Sequence, residues 1–172
     1  MKLDKFITLG ADCQVRTNLD GWYLSEKMDG CRAIWDGSNL WSRGGKIISL
    51  PASIRTALPA GHRLDGEVWA GRERFTEARL AVQYGRWTRR CRFVAFDAPD
   101  ATGTWQERVA EAGRRYGDVV SFNVCESWRH ANALLFEVQA ICGEGLVARH
   151  PTARGYEHGR TDNFLKVKEP LL

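Results

Sequence analysis

A lysine amine attacks phosphorus or carbonyl centres only when deprotonated, and nearby cations or desolvation make that state accessible. Lys27 sits in Lys27-Met28-Asp29-Gly30-Cys31-Arg32, with an acid, an arginine and a turn-forming glycine close behind it. Taken alone, this run reads equally as a charged surface loop. Five further patterns follow in order: Ser42-Arg43-Gly44, Asp65-Gly66-Glu67, Phe96-Asp97, Glu144-Gly145-Leu146-Val147-Ala148-Arg149 and Lys166-Val167-Lys168. Asp65-Gly66-Glu67 is flanked by Leu64, Val68 and Trp69, where an acid must reach solvent or bind something. Half of the six lysines in the chain fall in the first and last patterns. Carboxylates, lysines and arginines in this mixture suit a polyphosphate bound with a hard divalent cation.

These residues need elements to hold them. Strand-like runs are predicted over residues 22–25, 31–35 and 39–43, with Asp36-Gly37 marking a hairpin turn between the last two. Pro51 opens a helix running to about Leu58, which Pro59 and Gly61 end. A strand is expected over 63–69, a helix over 73–82 and a buried strand over 91–97. Thr104 with Glu107 three residues on forms a capping box for a helix reaching Tyr116, closed by Gly117. A strand over 119–124 precedes the longest helix, 127–142, whose Ala131, Leu134, Leu135, Val138 and Ile141 keep helical spacing and which Gly143 ends. Strands over 146–149 and 164–168 complete the pattern, and the period of two puts Lys166 and Lys168 on one face. The hairpin-like beginning favours an α+β fold of mainly antiparallel sheets flanked by helices over a doubly wound parallel one.

The ordered set K-x-D-G-x-R, S-R-G, D-G-E, F-D, E-G-x-V-x-R and K-x-K resembles the covalent nucleotidyltransferases: ATP-dependent DNA ligases, RNA ligases and mRNA capping enzymes. The strings SEKMDGCRAIWDG, LWSRGG, LDGEVWAGRERF, GEGLVARHP, then GR and LKVK, most resemble the minimal bacterial and phage-type ATP-dependent DNA ligases over roughly residues 20–170. Six motifs in order are far more specific than any one. The resemblance implies a nucleotidyltransferase (ATP-grasp-like) adenylation domain that seals nicked double-stranded DNA with ATP and Mg²⁺ (or Mn²⁺). It makes Lys27 the nucleophile that forms lysyl-AMP. Asp29 and Arg32 contact the ribose and the nick ends, and Arg43 holds phosphate. Glu67 contacts ribose or metal, Phe96 stacks on adenine and Glu144 binds metal. Lys166 and Lys168 bind the α-phosphate, and Ser25 and Glu26 lie beside the adenine edge. The competing readings are an RNA ligase or other covalent nucleotidyltransferase, and a non-catalytic nick-binding module.

Composition sets the outer bounds. The chain has 172 residues, 44% hydrophobic and 27% charged, enough for one domain with a real core. Five widely spaced cysteines with no C-x-x-C pair, and four histidines without ligand spacing, argue against zinc and a disulfide framework. The amino terminus, MKLDKFITLGADC, carries two acids and no apolar core of a signal sequence, so a cytoplasmic monomer away from membranes is expected. Of the cations, 19 are arginine, the residue suited to bidentate phosphate contact. Residues 71–92 hold seven arginines against two glutamates, with Tyr84 and Trp87 interleaved. Arg86, Arg89, Arg90 and Arg92 there, with Arg32 and Arg43, are the expected contacts to DNA phosphates, independent of base sequence. Relatives of this kind follow the K-x-K strand with an OB-fold domain. Only Glu169-Pro170-Leu171-Leu172 follow Lys168, so residues 1–172 are expected to be a single adenylation domain without it, and self-adenylation the step impaired.

Overall fold

Strands bury one face where apolar residues alternate, and in this chain they do so in two separate sheets. The computed structural model describes residues 6–172; residues 1–5, part of the stretch read above for a signal sequence, lie outside the described residues. The strands are β1 (Thr8–Asp12), β2 (Tyr23–Glu26), β3 (Cys31–Trp35), β4 (Leu40–Ser42), β5 (Leu64–Trp69), β6 (Arg92–Asp97), β7 (Asn123–Val124), β8 (Leu146–Arg149) and β9 (Gly159–Val167). The helices are α1 (Ala52–Ala57), α2 (Phe75–Tyr84), α3 (Trp105–Arg115) and α4 (Trp128–Ala140). One sheet has the order β1-β9-β8-β2-β7 and the other β4-β3-β5-β6. Among the described residues, every pairing of these strands is antiparallel except β1 with β9. No helix among the described residues is long and apolar enough to cross a membrane.

Local chemistry accounts for the elements. The β3–β4 turn is pinned by Asp36, whose Oδ1 accepts from the Ser38 and Asn39 backbone N–H groups at 2.8 and 2.7 Å, while Gly37 takes φ +98°. The Thr104–Glu107 capping box is present at the start of α3. Ser127 caps α4 by accepting from the His130 N–H at 3.2 Å. Each sheet then has its own core. Trp35, Leu40, Leu64, Val68 and Phe93 pack under the four-stranded sheet against α2 and α3 alanines. Leu24, Leu146, Leu165 and Val167 of the five-stranded sheet, with Leu19 ahead of β2, pack on Ala131 and Leu135 of α4.

Two expectations are corrected. The run 119–124 is not one strand: Val119 makes a single parallel bridge to Ala95, and only Asn123–Val124 pairs, with β2. The second correction is β1, an element that the sequence pattern does not predict. Its Thr8-Leu9-Gly10-Ala11-Asp12 has little strand character, and Gly10 suits it because the Phe164 ring lies over that position, 3.0 Å from where a Cβ would stand. Its partner β9 accordingly starts at Gly159 instead of residue 164.

The two sheets meet through residues 27–30, which carry the chain from the end of β2 to the start of β3. Beside this crossing, Asp97 at the end of β6 accepts from the Arg108 guanidinium of α3 at 2.7 and 3.0 Å, and both residues are buried. Removing one member of such a pair strands the other charge. Arg108→Met should therefore lower unfolding free energy by ~3–5 kcal/mol, whereas Thr104→Ala should cost about 1 kcal/mol as the cap disappears. Denaturant midpoints of the two variants check this ranking; equal small shifts would contradict it.

Candidate functional site

Two glycines let the site assemble. A Cβ on Gly30 would stand 2.4 Å from the Val68 carbonyl oxygen and 2.8 Å from Glu67 Cγ, so only glycine lets the Lys27 loop lie flat on β5. A Cβ on Gly66 would stand 2.4 Å from the Val94 oxygen and 2.7 Å from the Phe93 ring. The glycines of the K-x-D-G and D-G-E patterns are thus close-approach positions.

Between the sheets lies a cleft of about 240 Å³. Its lining includes Ser25, Glu26, Lys27, Arg32, Arg43, Glu67, Phe96 and Lys166 of the predicted residues. Lys27 is anchored twice to the five-stranded sheet: its backbone N–H donates to the Gly145 oxygen at 2.8 Å, and its ammonium pairs with the Glu144 carboxylate. The other Glu144 oxygen accepts from Lys168 at 2.6 Å. Burial opposes ionisation of Glu144, yet the Lys168 and Lys27 ammonium groups hold it below the usual carboxylate range. Lys166 lines the cleft and pairs with Asp12 at 2.7 Å.

The floor is a buried ionic network. Arg32 donates to both Asp65 oxygens, at 2.6 and 2.5 Å, and to the Thr8 carbonyl at 3.0 Å. The Tyr156 hydroxyl donates to the same carboxylate. Arg32 also stacks on Phe96, 4.6 Å from its centroid. Arg149, 5% exposed, lies 3.5 Å from the Phe164 centroid, and its Nε has no hydrogen-bond partner among the described residues. Burial pushes its guanidinium down to about 10. Glu67 faces the same space, and burial pushes it up to about 8 against the pull of Arg32 and Lys27.

These observations are joined by likeness to known proteins. No protein-family model matches the chain. A DNA ligase of Haemophilus influenzae is 32% identical over 159 residues, 87% of this chain. The chain spans 59% of that relative's length. A solved structure from a structure-function study of Lig E DNA ligases is 30% identical, with a TM-score of 0.78 over 95% of this chain and 70% of that one. The chain belongs to the DNA ligase family. The Chlorella virus DNA ligase-adenylate shares the fold at 18% identity, with a TM-score of 0.75 over 95% of this chain and 67% of that one.

Within this ligase architecture the predicted residues separate into groups. Eight line the cleft. Glu144 and Lys168 reach it through the Lys27 pair, and Lys168 lies past the end of β9 instead of sharing a strand face with Lys166. Asp29 is exposed and does not line the cleft. Arg86, Arg89, Arg90 and Arg92 are exposed away from it, with Arg92 paired to Asp118 at 3.3 Å and stacked on Trp69. Sequence reasoning missed Arg149, Arg160, Tyr156 and Arg72. Arg149 closes the Glu144-Gly145-Leu146-Val147-Ala148-Arg149 pattern, and that position is the one signal that could have found it. Among the described residues no group of three or more His, Cys, Asp or Glu side chains converges. A divalent cation here would have to be shared with phosphate oxygens, which is how Mg²⁺ is commonly held, on one or two carboxylates.

The raised Glu67 has a consequence for folding. Between its ordinary value of 4.5 and about 8, the native state keeps a proton that the unfolded chain has released. Stability from this group therefore falls as pH rises through that window and levels above it. In metal-free buffer, Glu67→Gln should flatten that part of the pH–stability curve; an unchanged slope in denaturant titrations would contradict it.

Proposed function

We propose that the chain is an ATP-dependent DNA ligase that seals 3′-OH/5′-phosphate nicks in duplex DNA, acting as a monomer in the cytoplasm. The observation that carries this reading is the placement of Lys27: held by Glu144 at the mouth of a cleft lined by Arg32, Arg43, Glu67, Phe96 and Lys166. Phosphoryl transfer asks mainly for positioning and charge neutralisation, and that is what this lining supplies.

In the first step the Lys27 amine attacks the ATP α-phosphate, the N–P bond forms and pyrophosphate leaves. The amine must be neutral; its pair with Glu144 favours the charged form, and engagement of Glu144 by Lys168 and by a bound cation would favour loss of the proton. Lys166 and Arg43 bear on the phosphates and Phe96 on the base. In the second step AMP passes from Lys27 to the 5′-phosphate of the nick. In the third, the 3′-OH attacks that phosphate and AMP leaves. When bound, Mg²⁺ (or Mn²⁺) supplies further neutralisation of phosphate charge, with Glu67 and Glu144 the carboxylates to hold it. The exposed arginines between α2 and β6 give the duplex a sequence-independent phosphate contact.

Three experiments test this. Incubation with radiolabelled ATP and Mg²⁺ should leave covalent AMP on the wild type and none on Lys27→Ala; label on both variants, or on neither, refutes the assignment. Reversing Arg89 and Arg90 to glutamate should weaken nicked-DNA binding and flatten its salt dependence by roughly 0.9 in log–log slope for each phosphate no longer neutralised. Unchanged affinity and slope would remove these residues from the interface. A parallel assay on nicked RNA duplex separates DNA from RNA sealing.

A further inference from the structure

The nucleophile loop is gripped at one end by β5 and at the other by the turn that follows β5. At its far end, Gly30 lies on Glu67 and Val68 of β5. At its near end, Glu26, the residue before Lys27, is bound by Arg72, which follows β5 in the turn to α2. Arg72 Nε and Nη2 donate to the two Glu26 carboxylate oxygens at 2.9 and 2.6 Å. The pair crosses from the four-stranded sheet to the end of β2 in the five-stranded one.

Its surroundings are shaped to hold it. Gly71 takes φ +104° and Glu73 φ +58°, so the turn carries two left-handed residues, one of them not glycine. Such backbone persists where contacts over-determine it. The Glu73 carboxylate lies near enough to hold the Cys142 thiol above its usual range, and Cys142 is itself left-handed at φ +61°. On the same side, a Cβ on Gly143 would come within 3.2 Å of Glu26 Oε1. Glu26 is therefore seated between the β5–α2 turn and the α4–β8 turn, while the Lys27 N–H is fixed to Gly145 just beyond.

We infer that Arg72 is a positioning residue: by clamping Glu26 it closes a bracket from β5 through Gly30, Lys27 and Glu26 back to the turn that follows β5, and so sets Lys27 for its attack on the nucleotide. This rests on the function proposed above. The bracket serves the step in which the lysine is the nucleophile. Sealing of a nick that is already adenylated uses the cleft but no attack by Lys27.

That difference supplies the test. The full chain and its Arg72→Met and Arg72→Lys variants are compared in lysine adenylation with ATP and Mg²⁺, and in sealing of pre-adenylated nicked DNA. A misplaced reacting group can slow a reaction about 10²-fold. Arg72→Met should lose at least roughly tenfold in the maximal rate of adenylation with KM for ATP little changed, the pattern of an interaction needed in the transition state. Sealing of the pre-adenylated nick should stay within about twofold of wild type, and Arg72→Lys should recover part of the adenylation rate through one charge-assisted bond. Equal losses in both reactions would reduce Arg72 to a general structural role, and a full adenylation rate in Arg72→Met would remove it from the step. A wild type that forms no adenylate overturns the proposed function, and with it this inference.

Discussion

The Arg32–Asp65 pair is the interaction on which the rest of the site depends. Asp65 is fully buried in β5, and burying a carboxylate without a partner is prohibitive. Arg32 from β3 meets it with a two-pronged bond, then reaches the Thr8 carbonyl of β1 in the other sheet. Tyr156, ahead of β9, adds its hydroxyl to the same carboxylate. One buried charge thus ties both sheets together at the floor of the cleft. It also fixes the Phe96 ring on which Arg32 stacks, so the aromatic wall and the cationic floor share a support. Trp105 donates its Nε1–H to the Phe96 carbonyl at 2.8 Å and holds the same strand from the side of α3.

Around that anchor the cleft carries more positive charge than its own carboxylates can balance. Arg149 has an unpartnered Nε among the described residues and is flanked by rings, and Glu67 prefers its neutral form. Charges already fixed and desolvated need no rearrangement when an anion arrives. Lys27 differs from them: it shares one carboxylate, Glu144, with Lys168. A site divided into fixed cations and one lysine on a shared carboxylate suits the adenylyl transfer proposed here.

Much of this is legible in the chain because it is local. The capping box of α3 depends on two residues three apart, and β8 coincides with the run predicted for it. Gly30 reads as a turn glycine from its motif, and the structure adds the stricter demand of lying flat on β5. Long-range pairings are not legible. Tyr156 lies 91 residues from Asp65, and Arg72 lies 46 from Glu26, with no periodicity or spacing to connect either pair. β1 is hidden because its strand state is imposed by β9 and by the Phe164 ring over Gly10, against its own weak propensity. The 119–124 run misleads in the opposite sense: Val119, Val120 and Phe122 fill a small aromatic core with Trp105 and Val109, and only Asn123–Val124 extends a sheet.

The pairing of β1 with β9 joins residues near the two ends of the described chain. The four-stranded sheet uses only residues between Cys31 and Asp97, whereas the five-stranded sheet needs strands drawn from Thr8 to Val167. Contacts of large sequence separation close late, because loop entropy is spent before they form. During synthesis the half that carries Arg32, Glu67 and Phe96 can mature first, and the half that carries Lys166 arrives last. Synthesis thus delivers the wall that holds Arg32, Glu67 and Phe96 before the strand that completes the cleft.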